Sequence, residues 1–259
     1  MAETLVMVHG MWGTPSHWDN FREFFEGRGY QCLTPTLRHH DVEPQGTPDP
    51  SLGRTSLLDY AEDLEKLIRG LQGKPVVMGF SMGGILAQIL ASRGLAEAIV
   101  LLSPAPPAGI NALKPAIIWE FRSAMLRWGF WRKPFRLPFR ETSSAMLNEM
   151  PAESRKGIYD GLVYESGRAA CEIGFWFLDP KGALKVDASK VTCPVLIISG
   201  AKDLEHPISV VRKIAKRYER VATFEELPGH GHWLIGEPGW QKIAERIDQW
   251  LRRTLNRPA

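Results

Sequence analysis

The chain has 259 residues, 44% hydrophobic and 24% charged, the balance of a soluble globular protein with enough length for one large core or a core plus a lid. A formal net charge of +3 and a pI near 8.8 are too mild to argue for nucleic acid, and no nucleic-acid motif accompanies them. Cys32, Cys171 and Cys193 are odd in number and widely spaced; they fit buried thiols in a reducing compartment better than a disulfide framework or a metal set.

Met1-Ala2-Glu3-Thr4 runs directly into an apolar stretch. No basic region precedes a long apolar segment, so no signal peptide is expected. No run of about 18 apolar residues occurs, so no membrane span is expected. A cytoplasmic protein follows; the oligomeric state is open.

Leu5-Val6-Met7-Val8 is a short apolar run that suits a strand covered on both faces. His9-Gly10-Met11-Trp12-Gly13 and a polar turn follow. Ser16 is placed to cap a helix carrying Trp18, Phe21, Phe24 and Phe25 at helical spacing. Gly29–Pro35 reads as a second strand. Arg38–Arg54, rich in Pro, Asp and Gly, reads as a long surface loop. Ser56-Leu57-Leu58-Asp59 has the form of a capping box with Asp in place of Glu. Leu57, Tyr60, Ala61, Leu64, Ile68 and Leu71 then mark one face of an amphipathic helix, closed by Gly70 and Gly73.

Val76-Val77-Met78 leads into Gly79-Phe80-Ser81-Met82-Gly83 and then into the helical run Ile85–Ala91. Strand, sharp turn and helix are the context in which Gly-x-Ser-x-Gly is a nucleophile elbow. Serine at the apex is strained, and crowded flanks require Gly79 and Gly83 to lack side chains. The helix behind it aims free N–H groups at a developing oxyanion. The helix ends near Arg93-Gly94, and Ala98–Ser103 reads as a further strand. Such alternation means a parallel sheet with right-handed crossovers.

From Pro104 to about Asp187 the alternation breaks. No clean strand is legible, and helical stretches alternate with prolines. Ten of the twenty Trp and Phe residues of the chain lie here. That aromatic load predicts a helical cap over the sheet, with an apolar pocket between them. The expected organisation is therefore a core at 1–103, a cap at 104–187 and the rest of the core at 188–259. Strands return at Pro194–Gly200 and Val221–Leu227, with a helix between them. A closing helix runs from about Trp240, with Ile243, Ala244, Ile247, Trp250, Leu251 and Leu255 on one face.

Acyl transfer by serine needs a base, an acid that orients it, and N–H donors for the oxyanion. In an open α/β sheet these converge at the carboxyl ends of the strands. Asp203, just after the Pro194–Gly200 strand, is the candidate acid, with Glu205 as the fallback. His232, on the glycine-rich loop after the last strand, is the candidate base, with His230 as its rival.

The order Ser81, Asp203, His232 resembles the α/β-hydrolase superfamily, in its broad group with a helical cap. The matching pieces are His9-Gly10, Trp18, Gly79-Phe80-Ser81-Met82-Gly83, Gly200-Ala201-Lys202-Asp203, and Gly231-His232-Trp233 with Glu237-Pro238. The resemblance implies a mostly parallel sheet of about six strands flanked by helices, without the family's usual leading hairpin. It favours His232 over His230. It also implies an oxyanion hole from the backbone N–H groups of Met82 and Met11, with Trp12 as substitute for Met11, and a bracing role for His9.

The expectation is a serine hydrolase that cleaves a carboxylic ester with an apolar acyl or aryl group and needs no cofactor. The pocket is expected to draw on Trp12, Trp119, Trp128, Trp176 and Trp233. Thioesters, amides and carbon–carbon bonds next to a carbonyl are open to the same triad, and a small-molecule receptor on this fold is the alternative of another class. His39-His40-Asp41 are adjacent loop residues that seldom converge on one ion, so no metal is expected there. Arg122, Arg127, Arg132, Lys133, Arg136 and Arg140 read as a solvated cap face, or as a site for an anionic substrate tail or lipid headgroup.

Overall fold

The computed structural model describes residues 3–111 and 113–255. In chain order the first half runs β1 (Thr4–Val8), α1 (Asp19–Glu26), β2 (Gln31–Leu33), α2 (Leu57–Arg69), β3 (Val76–Phe80), α3 (Met82–Ser92) and β4 (Ala98–Leu102). The cap follows, with α4 (Pro115–Glu120), α5 (Arg122–Met125), β5 (Pro134–Phe135), α6 (Phe139–Ser144), α7 (Ala152–Asp160), β6 (Glu165–Ser166) and α8 (Gly167–Gly174). The chain then closes the core with β7 (Val195–Gly200), α9 (Ile208–Arg217), β8 (Ala222–Leu227) and α10 (Trp240–Thr254).

Six strands form one sheet in the order β2-β1-β3-β4-β7-β8, and every neighbouring pair is parallel. Alternation along each strand sends side chains to two faces. Val6, Val8, Val77, Ile99, Leu101, Val195 and Ile197 join a core with α2, α3 and α9. Leu5, Met7, Met78, Val100, Leu196 and Ile198 join a second core with Phe21 and Phe25 of α1 and with Ile243, Ile247 and Leu251 of α10. Both faces are covered, which is why the central strands are apolar throughout.

The Ser56 capping box forms as read: Ser56 Oγ accepts from the Leu58 N–H (3.2 Å), and Asp59 Oδ2 accepts from the Ser56 N–H (2.7 Å). Ser16 does not cap α1. Pro15 opens a 3-10 turn over Pro15–Trp18, capped from Thr14 without a side-chain bond, and α1 begins only at Asp19. The loop after β2 contains a 3-10 turn at Pro50–Arg54.

The cap is not purely helical. β5 and β6 pair antiparallel, Pro134 with Ser166 and Phe135 with Glu165. Two-residue strands are too short to leave a period in the sequence. Two buried carboxylates fasten the cap to the core. Glu172 accepts from Ser56 Oγ (2.7 Å) and from the Leu57 N–H (2.8 Å). Glu165 accepts from Tyr60 Oη (2.7 Å) and lies 3.2 Å from His40 Nε2.

Candidate active site

β3 delivers Ser81 to the carboxyl edge of the sheet, and α3 starts at the next residue. Ser81 has φ 54° and ψ −117°, a backbone region that costs a non-glycine residue energy and persists only when its surroundings enforce it. The enforcement is visible. The Ser81 N–H donates to the Leu102 carbonyl (3.0 Å), and the Ser81 carbonyl accepts from the N–H groups of Gly84 (2.9 Å) and Ala105 (3.0 Å). A Cβ on Gly79 would stand 2.1 Å from the Gly83 carbonyl oxygen, and one on Gly83 would stand 2.1 Å from that of Val8.

His232 is fully buried on the loop after β8. Its Nδ1–H donates to Asp203 Oδ2 at 2.8 Å. The other oxygen, Oδ1, accepts from the N–H groups of Glu205 (2.9 Å) and His206 (2.8 Å), which locks the carboxylate in the turn after β7. Glu237 organises the histidine loop by accepting from the N–H groups of Gly231 (3.0 Å) and Trp233 (3.1 Å). His230 faces away from the acid and contacts Glu237 Oε2 at 3.1 Å.

The third expected link is absent. Among the described residues His232 Nε2 makes no hydrogen bond, to Ser81 or to any other group. It lies 3.0 Å from Glu205 Oε2, at ion-pair distance but without hydrogen-bond alignment. Burial by itself would lower the His232 pKa; the Asp203 and Glu205 carboxylates overcome it and hold the imidazole up to about 10. Glu205 is thus not a stand-in for Asp203 but a second carboxylate on the opposite side of the same ring. The sequence carried one signal of it, an acidic residue two positions after the acid.

The backbone N–H groups of Met11 and Met82 are the expected oxyanion donors. Met11 and Met82 both line the pocket beside Ser81, and Met82 is the first residue of α3, so its N–H has no acceptor within the helix. His9 is buried. The Leu37 N–H donates to its Nε2 (3.4 Å), and its Nδ1–H donates to the Gly10 carbonyl (2.9 Å). Burial first, and then the neighbouring His40, push its pKa well below the ordinary value, so it serves as a neutral brace.

The pocket is apolar, but its tryptophans are not the expected five. Trp12 lines it, together with Leu113, Ile117, Phe121, Phe130 and Phe175. Trp119 and Trp128 are 63% and 85% exposed. Trp176 packs, half-buried, on the core that α2, α3 and α9 share, and Trp233 is buried against Phe80 and His17. Short cap helices give too few turns for periodicity to say which face is inward. Of the cap cations, Arg122 pairs with Glu141 (3.1 Å) and Arg136 stacks on Tyr159 (4.3 Å).

His39 and His40 turn to different partners: His39 to Asp49 at 3.1 Å and His40 to Glu165. Among the described residues, Asp203, His206 and His232 are the group whose ligand atoms fall within 4.8 Å of one another. All three residues already have partners: His232 Nδ1–H donates to Asp203 Oδ2 (2.8 Å), and His206 Nδ1–H donates to the Ser103 carbonyl (2.9 Å). Among the described residues, no helix is long and apolar enough to cross a membrane.

Residues 5–245 match the alpha/beta hydrolase family. No curated protein matches the chain by sequence. Among solved structures, a thermophilic esterase from Thermogutta terrifontis is similar at a TM-score of 0.71 and 22% identity, covering 98% of this chain and 91% of that one. A monoacylglycerol lipase from Paleococcus ferrophilus is similar at a TM-score of 0.67 and 19% identity, covering 96% and 93%. A pyrethroid hydrolase from Sphingobium faniae JZ-2 is similar at a TM-score of 0.68 and 16% identity, covering 96% and 97%.

Proposed function

The chain belongs to the alpha/beta hydrolase family, and from that premise we propose that it is a serine hydrolase of carboxylic esters with an apolar acyl or aryl group. The observation that carries this reading is the strained Ser81 at φ 54° opening into an apolar pocket beside the buried His232–Asp203 couple. Strain at a serine that lines the pocket, held by Gly79 and Gly83 on its two flanks, is what a presented nucleophile needs.

In the proposed reaction Ser81 Oγ attacks the ester carbonyl carbon, and its proton passes to His232 Nε2. Asp203 holds the Nδ1–H and stabilises the imidazolium. The N–H groups of Met11 and Met82 receive the oxyanion. Collapse breaks the bond to the alcohol, which leaves with the proton from Nε2. Water, deprotonated by the same nitrogen, then attacks the acyl-enzyme and frees the carboxylic acid and Ser81.

Trp12, Phe121, Phe130 and Phe175 give the pocket an aromatic wall, which suits a medium-chain acylglycerol, a lysophospholipid or an aryl ester. The likeness to a monoacylglycerol lipase and to a pyrethroid hydrolase supports apolar esters in the same way. A fluorophosphonate probe tests the nucleophile directly. One adduct per chain is expected, mapped to Ser81 by peptide mass; labelling elsewhere, or none, would remove Ser81 from the role.

A further inference from the structure

We propose that Glu205, braced by Glu120 of the cap, is a positioning residue for His232: it occupies the Nε2 side of the imidazole, holds the ring as a bridge between two carboxylates, and yields that nitrogen to Ser81 when a substrate fills the pocket. The assignment rests on Ser81 and His232 being nucleophile and base.

The geometry supplies the first half. Nδ1 is 2.8 Å from Asp203 Oδ2 and Nε2 is 3.0 Å from Glu205 Oε2. Both ring nitrogens therefore face carboxylates, whereas proton transfer from Ser81 needs Nε2 unprotonated and free. Glu205 lines the same pocket as Ser81, so a substrate that reaches the serine also reaches the carboxylate that competes for the base.

Glu120 supplies the second half. It is the last residue of α4, is 2% exposed, and neither of its carboxyl oxygens has a hydrogen-bond donor. Glu205 Oε1 is equally orphaned. Glu120 and Glu205 interact directly through their side chains; two such buried carboxyl groups without another donor are disfavoured as a doubly charged pair, and one shared proton satisfies both. Burial, then the charge of Glu205, raise Glu120 well above the carboxylate range, so Glu120 holds that proton and donates it. Burial raises the Glu205 pKa too, but His232 outweighs it and keeps Glu205 ionised. The pair joins a cap helix to a core loop, so an acyl group that moves α4 moves the brace.

The groups around His232 are Asp203 and Glu205 at its two nitrogens, and the His206 and Phe80 rings, each 5.1 Å away. Glu120 neighbours Glu205 and also feels the charge of Glu141, which pairs with Arg122. His206 is held neutral, first by burial and then by His232. Glu205 is therefore the charge whose removal His232 feels on its reactive side.

The test is an NMR titration of ring-labelled histidine, with His232 assigned by its loss in His232→Asn. It needs no substrate and is run on Ser81→Ala. In the Glu205-bearing protein the His232 inflection is expected well above that of an ordinary histidine, and in Glu205→Gln it should fall by about 1–3 pH units, the effect of one opposite charge in contact. Glu120→Gln, which keeps a donor to Glu205, should leave the inflection near its original place. An ordinary inflection in the Glu205-bearing protein overturns the proposal even if Glu205→Gln does not fold; equal inflections in the two proteins overturn it as well.

Kinetics supplies the second readout. The acid limb of kcat/KM reports the free enzyme and that of kcat the complex. With Glu205 displaced by substrate, the kcat limb should lie below the kcat/KM limb, and Glu205→Gln should draw the two together. Coincident limbs in the wild type would overturn the displacement step. A shifted titration with no Ser81-dependent turnover would leave the Glu205 contact standing and sink the esterase reading alone.

Discussion

His40, buried on the core, meets Glu165, buried in the cap, at 3.2 Å. Tyr60 Oη and the Ser166 N–H donate to the other oxygen of the same carboxylate, at 2.7 and 2.6 Å. Burial disfavours the imidazolium, but Glu165 more than offsets it and raises the His40 pKa. Glu165→Leu would orphan all three partners and should destabilise the protein by about 3–5 kcal/mol, the usual cost of breaking a buried pair. A raised pKa contributes stability that is fully present below the unfolded value of about 6.5 and is lost as pH rises through the folded value. The deficit of Glu165→Leu in urea unfolding should therefore narrow on the alkaline side; a deficit that widens there would contradict the assignment.

Gly83 separates steric from entropic effects at the elbow. A Cβ there meets Val8 backbone atoms at 2.1 and 2.7 Å, and backbone in a central strand cannot step aside. Gly83→Ala should cost more than about 3 kcal/mol or prevent folding. Gly157, within α7, has nothing within 4 Å of the same added atom. Gly157→Ala should stabilise by about 0.4–1 kcal/mol. Thermal melts of the two variants check both signs.

Asp203→Asn keeps the hydrogen-bonding shape but presents the wrong partner to Nδ1–H, and should lower kcat by about 10⁴-fold. His230 donates to Glu237 and does not reach Asp203. His230→Ala should therefore cost little in kcat. Single-turnover kinetics on the two variants would expose a reversed assignment as a larger loss in His230→Ala.

Phe121 lines the pocket, whereas Trp128 stands 85% exposed. Phe121→Ala should lower kcat/KM for a medium-chain ester by about 10- to 100-fold, with a smaller loss on an acetate. Trp128→Ala should spare both esters. Equal losses for the two variants would place the acyl group outside the pocket.

The elbow was legible because everything that makes it is local: a Val-rich strand, two glycines, a serine and an apolar helix lie within seventeen residues, Val76–Ser92. The Ser56–Asp59 box was legible for the same reason. The His232–Asp203 contact spans 29 positions and was reachable only through the order of motifs along parallel strands. The pocket tryptophans were misplaced because aromatic count measures how much must be buried, not which face of a one-turn helix does it. Glu120 gave a signal that composition hides, a lone carboxylate inside the apolar run Ile117-Ile118-Trp119-Glu120-Phe121. Such a residue is either exposed or paired, and only the fold brings Glu205 to it. Glu165 and Glu172 were silent in the same way, since their partners lie 105 and 116 positions away.

The most direct measurement is initial-rate hydrolysis of a chain-length series of p-nitrophenyl esters by wild type and Ser81→Ala side by side. The expected result is turnover that peaks at a medium acyl length and falls by about 10⁴–10⁶ in a folded Ser81→Ala protein. Turnover that survives the substitution, or none on any ester by a folded wild type, would contradict serine ester hydrolysis as the function of this site.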